Sequence, residues 1–437
     1  MGLSALGIEL GSYVLVASIF ILLVTGQPLA WVTGVVALIF TFGWFGGTAL
    51  PLVTSRIFGF ITEYSLMAIP MFILMAALLD RSGIAKDLFN GMRILAGRVP
   101  GGVAVQTLIV AILLAAMSGV IGGEIVLLGI LALPQMLRLG YDRNLSIGVV
   151  VAGGSLGTMM PPSIVLIIYG LIASVSIADL FVAAVTPALL LFGLYVAYVL
   201  FICLRNPQKG PPMSREEIAQ ESLGSALRSL AAPLFIVLVV LGSIYGGIAS
   251  ITEAAALGVL SVLVVALVRR ELNFRMLQDS LTHTLETCGM IIWIGIAAAV
   301  LVGVYNLMGG NRFVSGAILS LDAPPVVIIM VMMLILLVLG MFLDWIGIAL
   351  LTLPIFVPIV NQLGYDPIWF GILFAVNMQV SYLTPPFGPA AFYLKSVTPK
   401  EITLQHIYTA LLPFIALQLL ALAIILFFPP IATWAVN

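Results

Sequence analysis

The chain has 437 residues, formal net charge −1, 62% hydrophobic side chains and only 8% charged ones. Soluble domains carry about 25% charged residues, so this composition cannot build a water-facing surface. There is no basic block to grip a nucleic acid, and two isolated cysteines, Cys203 and Cys288, make neither a disulfide framework nor a metal motif.

Apolar runs long enough to cross a bilayer, roughly 20 residues each, recur from Ser12 to Trp434. They define a single membrane domain over residues 1–437. The first run lacks a basic leader and a cleavage site, so it reads as a mature N-terminus. In chain order, crossings are expected at 8–25, 27–45 and 65–80. Two short apolar arms follow at about 102–139, parted by the helix-breaking stretch Ser118 to Gly123, and these predict a re-entrant helical hairpin. A crossing at 145–174 is interrupted by Gly157-Thr158-Met159-Met160-Pro161-Pro162, which predicts a discontinuous helix. A crossing at 177–204 closes the first half.

A polar linker, 206–225, leads to crossings at 226–247, 248–269 and 284–305. A second hairpin is expected at about 325–363 with its tip at Phe342 to Gly347. A second broken helix spans 367–396 with its break at Ser381 to Pro386, and 406–430 is the last crossing.

The two halves repeat. Pro134, Leu139, Gly140, Tyr141 and Asp142 recur as Pro358, Leu363, Gly364, Tyr365 and Asp366, and Pro161-Pro162 recurs as Pro385-Pro386, at a constant offset of 224. Residues 1–205 form one repeat and 226–437 the other. An odd number of crossings per half gives the repeats opposite orientation. Following the chain, one side collects nearly all the Lys and Arg and the other only Arg56 and Arg312. The basic side is therefore cytoplasmic, with the first hairpin opening to the cytoplasm and the second to the periplasm. The expected fold is an all-α polytopic membrane protein with an inverted-topology repeat, two re-entrant hairpins and two discontinuous helices.

That architecture places a binding site at the midplane, where broken helices present free carbonyls and amides. Oxygen ligands for a hard cation such as sodium are expected at Met117, Ser118, Gly119, Ser155 and Gly157 in the first half, and at Asp344, Asn377 and Ser381 in the second. A solute carboxylate is expected at the helix starts and breaks: Gly122, Gly123, Glu124, Thr158, Pro161, Pro162 and Ser163, then Tyr382, Thr384, Pro385 and Pro386. Glu124 and Asp344 are costly in lipid. They read either as ligands or as caps of the helix starts beside them, and either carboxyl can alternatively carry a coupling proton. Glu253 reads as a cap outside the site. Gly153-Gly154-Ser155-Leu156-Gly157 matches the hydrolase elbow, but no strand context or His partner supports it, and no P-loop or H-E-x-x-H occurs. Transport, not catalysis, is the expected function.

These motifs resemble the large membrane subunit of tripartite ATP-independent periplasmic (TRAP) transporters. The resemblance rests on Ala68-Ile69-Pro70-Met71-Phe72-Ile73-Leu74, on Ser118-Gly119 with Pro134 and Gly140-Tyr141-Asp142, and on Pro161-Pro162-Ser163, Phe342-Leu343-Asp344 and Asn377 with Leu383-Thr384-Pro385-Pro386. It covers nearly the whole chain and is nearest to the mannitol and chloroaromatic branch. It implies an elevator mechanism in the bacterial inner membrane and uptake of an organic anion, such as a 2-oxo acid or other monocarboxylate, with sodium. It also implies two partners, a small four-helix membrane subunit and a periplasmic substrate-binding protein. The first tip departs from the family's Ser-rich pattern, reading Val120-Ile121-Gly122-Gly123-Glu124 after Ser118-Gly119. Backbone carbonyls would then carry more of any ligation there. A stand-alone ion-coupled carrier and an ATP-driven permease subunit are the alternative readings.

Overall fold

A computed structural model describes residues 2–92, 99–119, 122–213, 223–320, 323–386 and 388–436. Among them every regular element is a helix. The first half comprises α1 (Gly7–Val24), α2 (Leu29–Phe45), α3 (Leu50–Ile61), α4 (Ala68–Arg81), α5 (Ile84–Gly91), α6 (Gly102–Ser118), α7 (Gly123–Arg138), α8 (Arg143–Gly154), α9 (Ile164–Ala173) and α10 (Ile177–Arg205). The second comprises α11 (Leu223–Tyr245), α12 (Ile251–Val268), α13 (Phe274–Leu307), α14 (Gly310–Leu319), α15 (Pro325–Gly340), α16 (Trp345–Gln362), α17 (Pro367–Leu383), α18 (Pro389–Val397), α19 (Leu404–Phe427) and α20 (Pro430–Thr433). Eight helical segments among the described residues are long and apolar enough to cross a membrane.

At the repeat offset, Leu50 falls on Phe274, Arg143 on Pro367 and Ala173 on Val397, each the first or last residue of a helix. One pair of elements differs. The first half breaks after Ile61, where the chain turns through Glu63 and a 3-10 turn at Tyr64–Met67 before α4, whereas α13 runs unbroken over the matching length. The residues between the expected crossings hold α3, α5 and α14. The expected crossing 284–305 is the inner part of the longer α13.

The hairpins are α6 with α7 and α15 with α16, each pair packed arm against arm. The arms run 16 to 18 residues, and α16 is long enough to span a membrane. Length therefore does not make these hairpins re-entrant. Tip position does: the first tip meets the interruption of the α8–α9 helix, halfway along it.

Each hairpin's first arm packs on the broken helix of its own half, α6 on α8 and α15 on α17. The second half-helix then crosses over: α9 packs on α16 of the other hairpin, and α18 on α7. This exchange interlocks the repeats. Helices α10 and α19 pack on the broken helices, while α2, α3 and α4 gather around α13, and α12 packs on α4 and α11. A separate apolar cluster of Val36, Phe40, Leu301 and Val304 fastens α2 to α13.

Caps set several boundaries. Asp142 accepts from the Leu145 amide at 2.9 Å, Asp366 from Ile368 at 2.7 Å and Asn273 from Met276 at 2.8 Å. Ser250 and Glu253 form a capping box at the start of α12, away from the site. The expected linker 206–225 is described only to Met213 and from Leu223. Its first part seals the base of the first hairpin, with Gly101 N on Gly210 O and Asp142 N on Lys209 O, both 2.9 Å. Val120, Ile121, Arg93, Arg98 and Arg215, all used in the sequence reading, lie outside the described residues.

Candidate functional site

The first tip and the first break form one unit. Gly119 turns the chain at φ 60°, and a methyl group there would collide with the Pro162 carbonyl. Helix α8 stops at Gly154, earlier than expected, where residues Ser155–Thr158 tighten into a 3-10 turn and Ser155 Oγ bonds Ala152 O at 2.7 Å. Thr158 Oγ1 then bonds Ser155 O at 2.9 Å, and Ser163 Oγ bonds Thr158 O. The Ile164 amide, expected to be free for a solute carboxylate, instead points to Gly119 O at 3.5 Å. The Pro161-Pro162 and Pro385-Pro386 bonds are both cis.

Glu124 reaches from the first tip into this break. Its Oε1 accepts from Ser118 Oγ, its Oε2 has no partner, and a Cβ on Gly157 would stand 2.8 Å from Oε1 and 3.0 Å from Oε2. It does not cap the amides of α7, the alternative left open by the sequence.

The second tip is built differently. Asp344 caps α16 by accepting from Ile346 N at 3.1 Å, so the tip is Met341–Asp344 and Gly347 is already helical. Gly340 packs on Ser381. Asn377 Nδ2 donates to Met333 O at 2.8 Å, fastening α17 to the hairpin, while its Oδ1 is buried without a partner. Ser381 Oγ bonds Asn377 O at 2.9 Å. Helix α17 continues to Leu383, so Ser381 lies in the helix and the break is at Thr384 to Gly388.

The two halves touch at their own equivalents. Gln379 Nε2 donates to Ser155 O at 2.7 Å and Ser155 Oγ at 3.2 Å, and these residues are 224 positions apart, the repeat offset itself. The line relating the repeats passes between them.

Between the tips lies a cavity of about 410 Å³. Of the expected site residues, Ser118, Gly119, Gly122, Gly123, Glu124, Asp344 and Tyr382 line it. Met117, Ser155, Gly157, Thr158, Pro161, Ser163, Asn377 and Ser381 are buried behind it, and Pro162 backs the first tip. Thr384, Pro385 and Pro386 do not line it. Pro386 is exposed and its carbonyl accepts from Tyr408 OH at 3.1 Å. A wider hollow of about 490 Å³, at Glu63, Ser174 and Ser250, lies away from both tips and has none of this chemistry.

The sequence reading missed four residues on the far wall: Asp80 and Arg81 from α4, and His283 and Thr287 from α13. A fifth, Tyr393, which the repeat offset matches to Tyr169, stacks on Tyr382 with ring centroids 6.3 Å apart. His283 is the tenth residue of the 34-residue α13. Asp80 sits beside the first tip, its Oδ2 2.9 Å from where a Cβ on Gly123 would stand. An Asp-Arg pair closing an apolar segment was the available signal, since ionisable groups there rarely lack a role.

The family described as "Tripartite ATP-independent periplasmic transporter, DctM component" matches residues 16–431. The chain belongs to this family. It is 32% identical to the C4-dicarboxylate TRAP transporter large permease protein DctM of Pseudomonas aeruginosa, over 85% of this chain and 86% of that protein. It is 31% identical to the isethionate TRAP transporter permease protein DctMQ of Oleidesulfovibrio alaskensis, over 94% of this chain, but spans only 64% of that longer protein. It is 31% identical to the ectoine/5-hydroxyectoine large permease UehC of Ruegeria pomeroyi, over 84% and 85% of the two chains. The YdaH transporter of Alcanivorax borkumensis has a similar fold, with a TM-score of 0.61 at 15% identity over 87% of this chain and 88% of that one. The chain is thus a DctM-type large permease, a polytopic membrane transport protein.

Proposed function

We propose that this DctM-type permease carries a small organic anion across the bacterial inner membrane with sodium, in concert with a small four-helix membrane subunit and a periplasmic substrate-binding protein. The observation that carries the reading is the cavity between two hairpin tips, flanked by buried side-chain oxygens that lack donors: Glu124 Oε2 and Asn377 Oδ1. Oxygens held this way suit a hard cation. Relatives named for isethionate, C4-dicarboxylates and sialic acid support an anionic solute.

The solute's negative charge would be met on the far wall by Arg81 and His283 and, from behind, by bound sodium. The helix start at Trp345 is already occupied by Asp344, and the start at Gly123 faces Asp80. Glu124, Asp344 and Asp80 would repel an anion until a cation neutralises them, so ion binding first and solute second is the expected order. The tips and breaks would move as one body past α2, α4, α12 and α13.

Reconstituted vesicles carrying the three components test the coupling, with sodium and proton gradients imposed one at a time. Uptake should follow the inward sodium gradient. Uptake driven by a proton gradient in sodium-free buffer would refute sodium coupling, and full uptake by the isolated chain would favour a stand-alone carrier.

A further inference from the structure

We infer that Glu124 is a cation ligand, and that the two junctions between tip and break bind their ions by different chemistry, a carboxylate in the first and neutral oxygens in the second. This rests on the sodium-coupled reading above and reassigns a residue that the sequence placed with the solute.

Glu124 is 2% exposed. Among the described residues no ion pair joins it to a lysine or arginine, and no backbone amide donates to it. Its one partner is Ser118 Oγ. An ionised carboxylate so placed is strongly unfavourable unless a positive charge joins it. The side chain lies between the tip and the 3-10 turn of the first break, against Gly157, at the wall of the cavity. A cation there would touch Glu124 Oε2 and Ser118 Oγ, with the carbonyls of the break at hand.

The repeat supplies the comparison. At the matching positions of the second half, Ile348 stands for Glu124, Phe342 for Ser118 and Ser381 for Gly157. Among the described residues no carboxylate enters that junction. Asn377 Oδ1 supplies a neutral unpartnered oxygen instead, while Asp344 faces the cavity from the end of α16. The first ion would therefore be held by charge and the second by dipoles.

The test uses the purified chain and reads radiolabelled sodium binding, together with the melting-temperature shift on titrating sodium chloride against choline chloride. Glu124→Gln keeps the shape and the hydrogen bond but removes the charge. It should raise the sodium midpoint of one site about tenfold or more, with Glu124→Asp restoring part of the affinity. Ser118→Ala, which removes the hydroxyl and no charge, should raise it less, and it serves as a second variant if Glu124→Gln folds poorly. Sodium binding unchanged in Glu124→Gln or in Ser118→Ala would overturn the assignment while leaving sodium coupling intact. A wild-type chain with no sodium response at all would overturn the coupling reading and this inference together.

Discussion

Single atoms decide the chemistry at the first tip. Gly119 is held by both its φ of 60° and the Pro162 carbonyl that a side chain would strike. Gly26 has a similar φ of 81° but nothing near it. The pair separates two costs. Gly26→Ala should lower stability by about 1 kcal/mol, the left-handed penalty alone. Gly119→Ala should cost several times as much and abolish uptake, because the tip can no longer seat on the break. Thermal unfolding in detergent and vesicle uptake of the two variants make the comparison, and equal losses would show that the seat is dispensable.

At the scale of elements, the interlocked half-helices meet through one amide. Gln379 donates to Ser155 O, just past the end of α8, where Thr158 Oγ1 is the local donor. Gln379→Leu leaves Ser155 O with Thr158 Oγ1 as its remaining donor, and we expect the loss of one ordinary hydrogen bond, about 0.5–1.5 kcal/mol. The same substitution at Gln405, exposed at the start of α19, should cost almost nothing. If both variants melt together, the contact between the repeats carries no stability. In the first half Ser155 turns back on its own helix, whereas in the second half Ser381 bonds Asn377 O and the helix continues until Thr384 and Pro385 end it.

For the whole molecule, the distribution of Lys and Arg sets the orientation. The exposed residues Asn144 and Gln362 lie at the open ends of the first and second hairpins. Cysteine introduced at Gln362 should react with an impermeant reagent added to intact cells, and cysteine at Asn144 only after the membrane is opened. The native Cys203 and Cys288 are buried and should contribute little background. Equal labelling at both positions would end the inverted arrangement. The cavity reaches Arg81 and His283, which the charge pattern assigns to the cytoplasmic end, so its mouth should face the cytoplasm in this conformation.

The sequence by itself determined the membrane class, the repeat and its offset, both hairpins, and the neighbourhood of each break. Those features are written in local chemistry: apolar length, Gly and Pro interruptions, and charge bias act within a few residues of where they stand. Tertiary structure alone decided what each polar group does. Glu124 and Asp344 have the same local signature, a carboxylate beside a hairpin helix start, yet one enters the neighbouring break of its own half with an unpartnered oxygen and the other caps its own helix. Asp80, Arg81 and His283 join the cavity only because α4 and α13 pack across from the tips, and Pro385 and Pro386 fall outside it because the second helix breaks later than the first. Side-chain direction and distant packing settle such questions, and no spacing along a single chain encodes them directly.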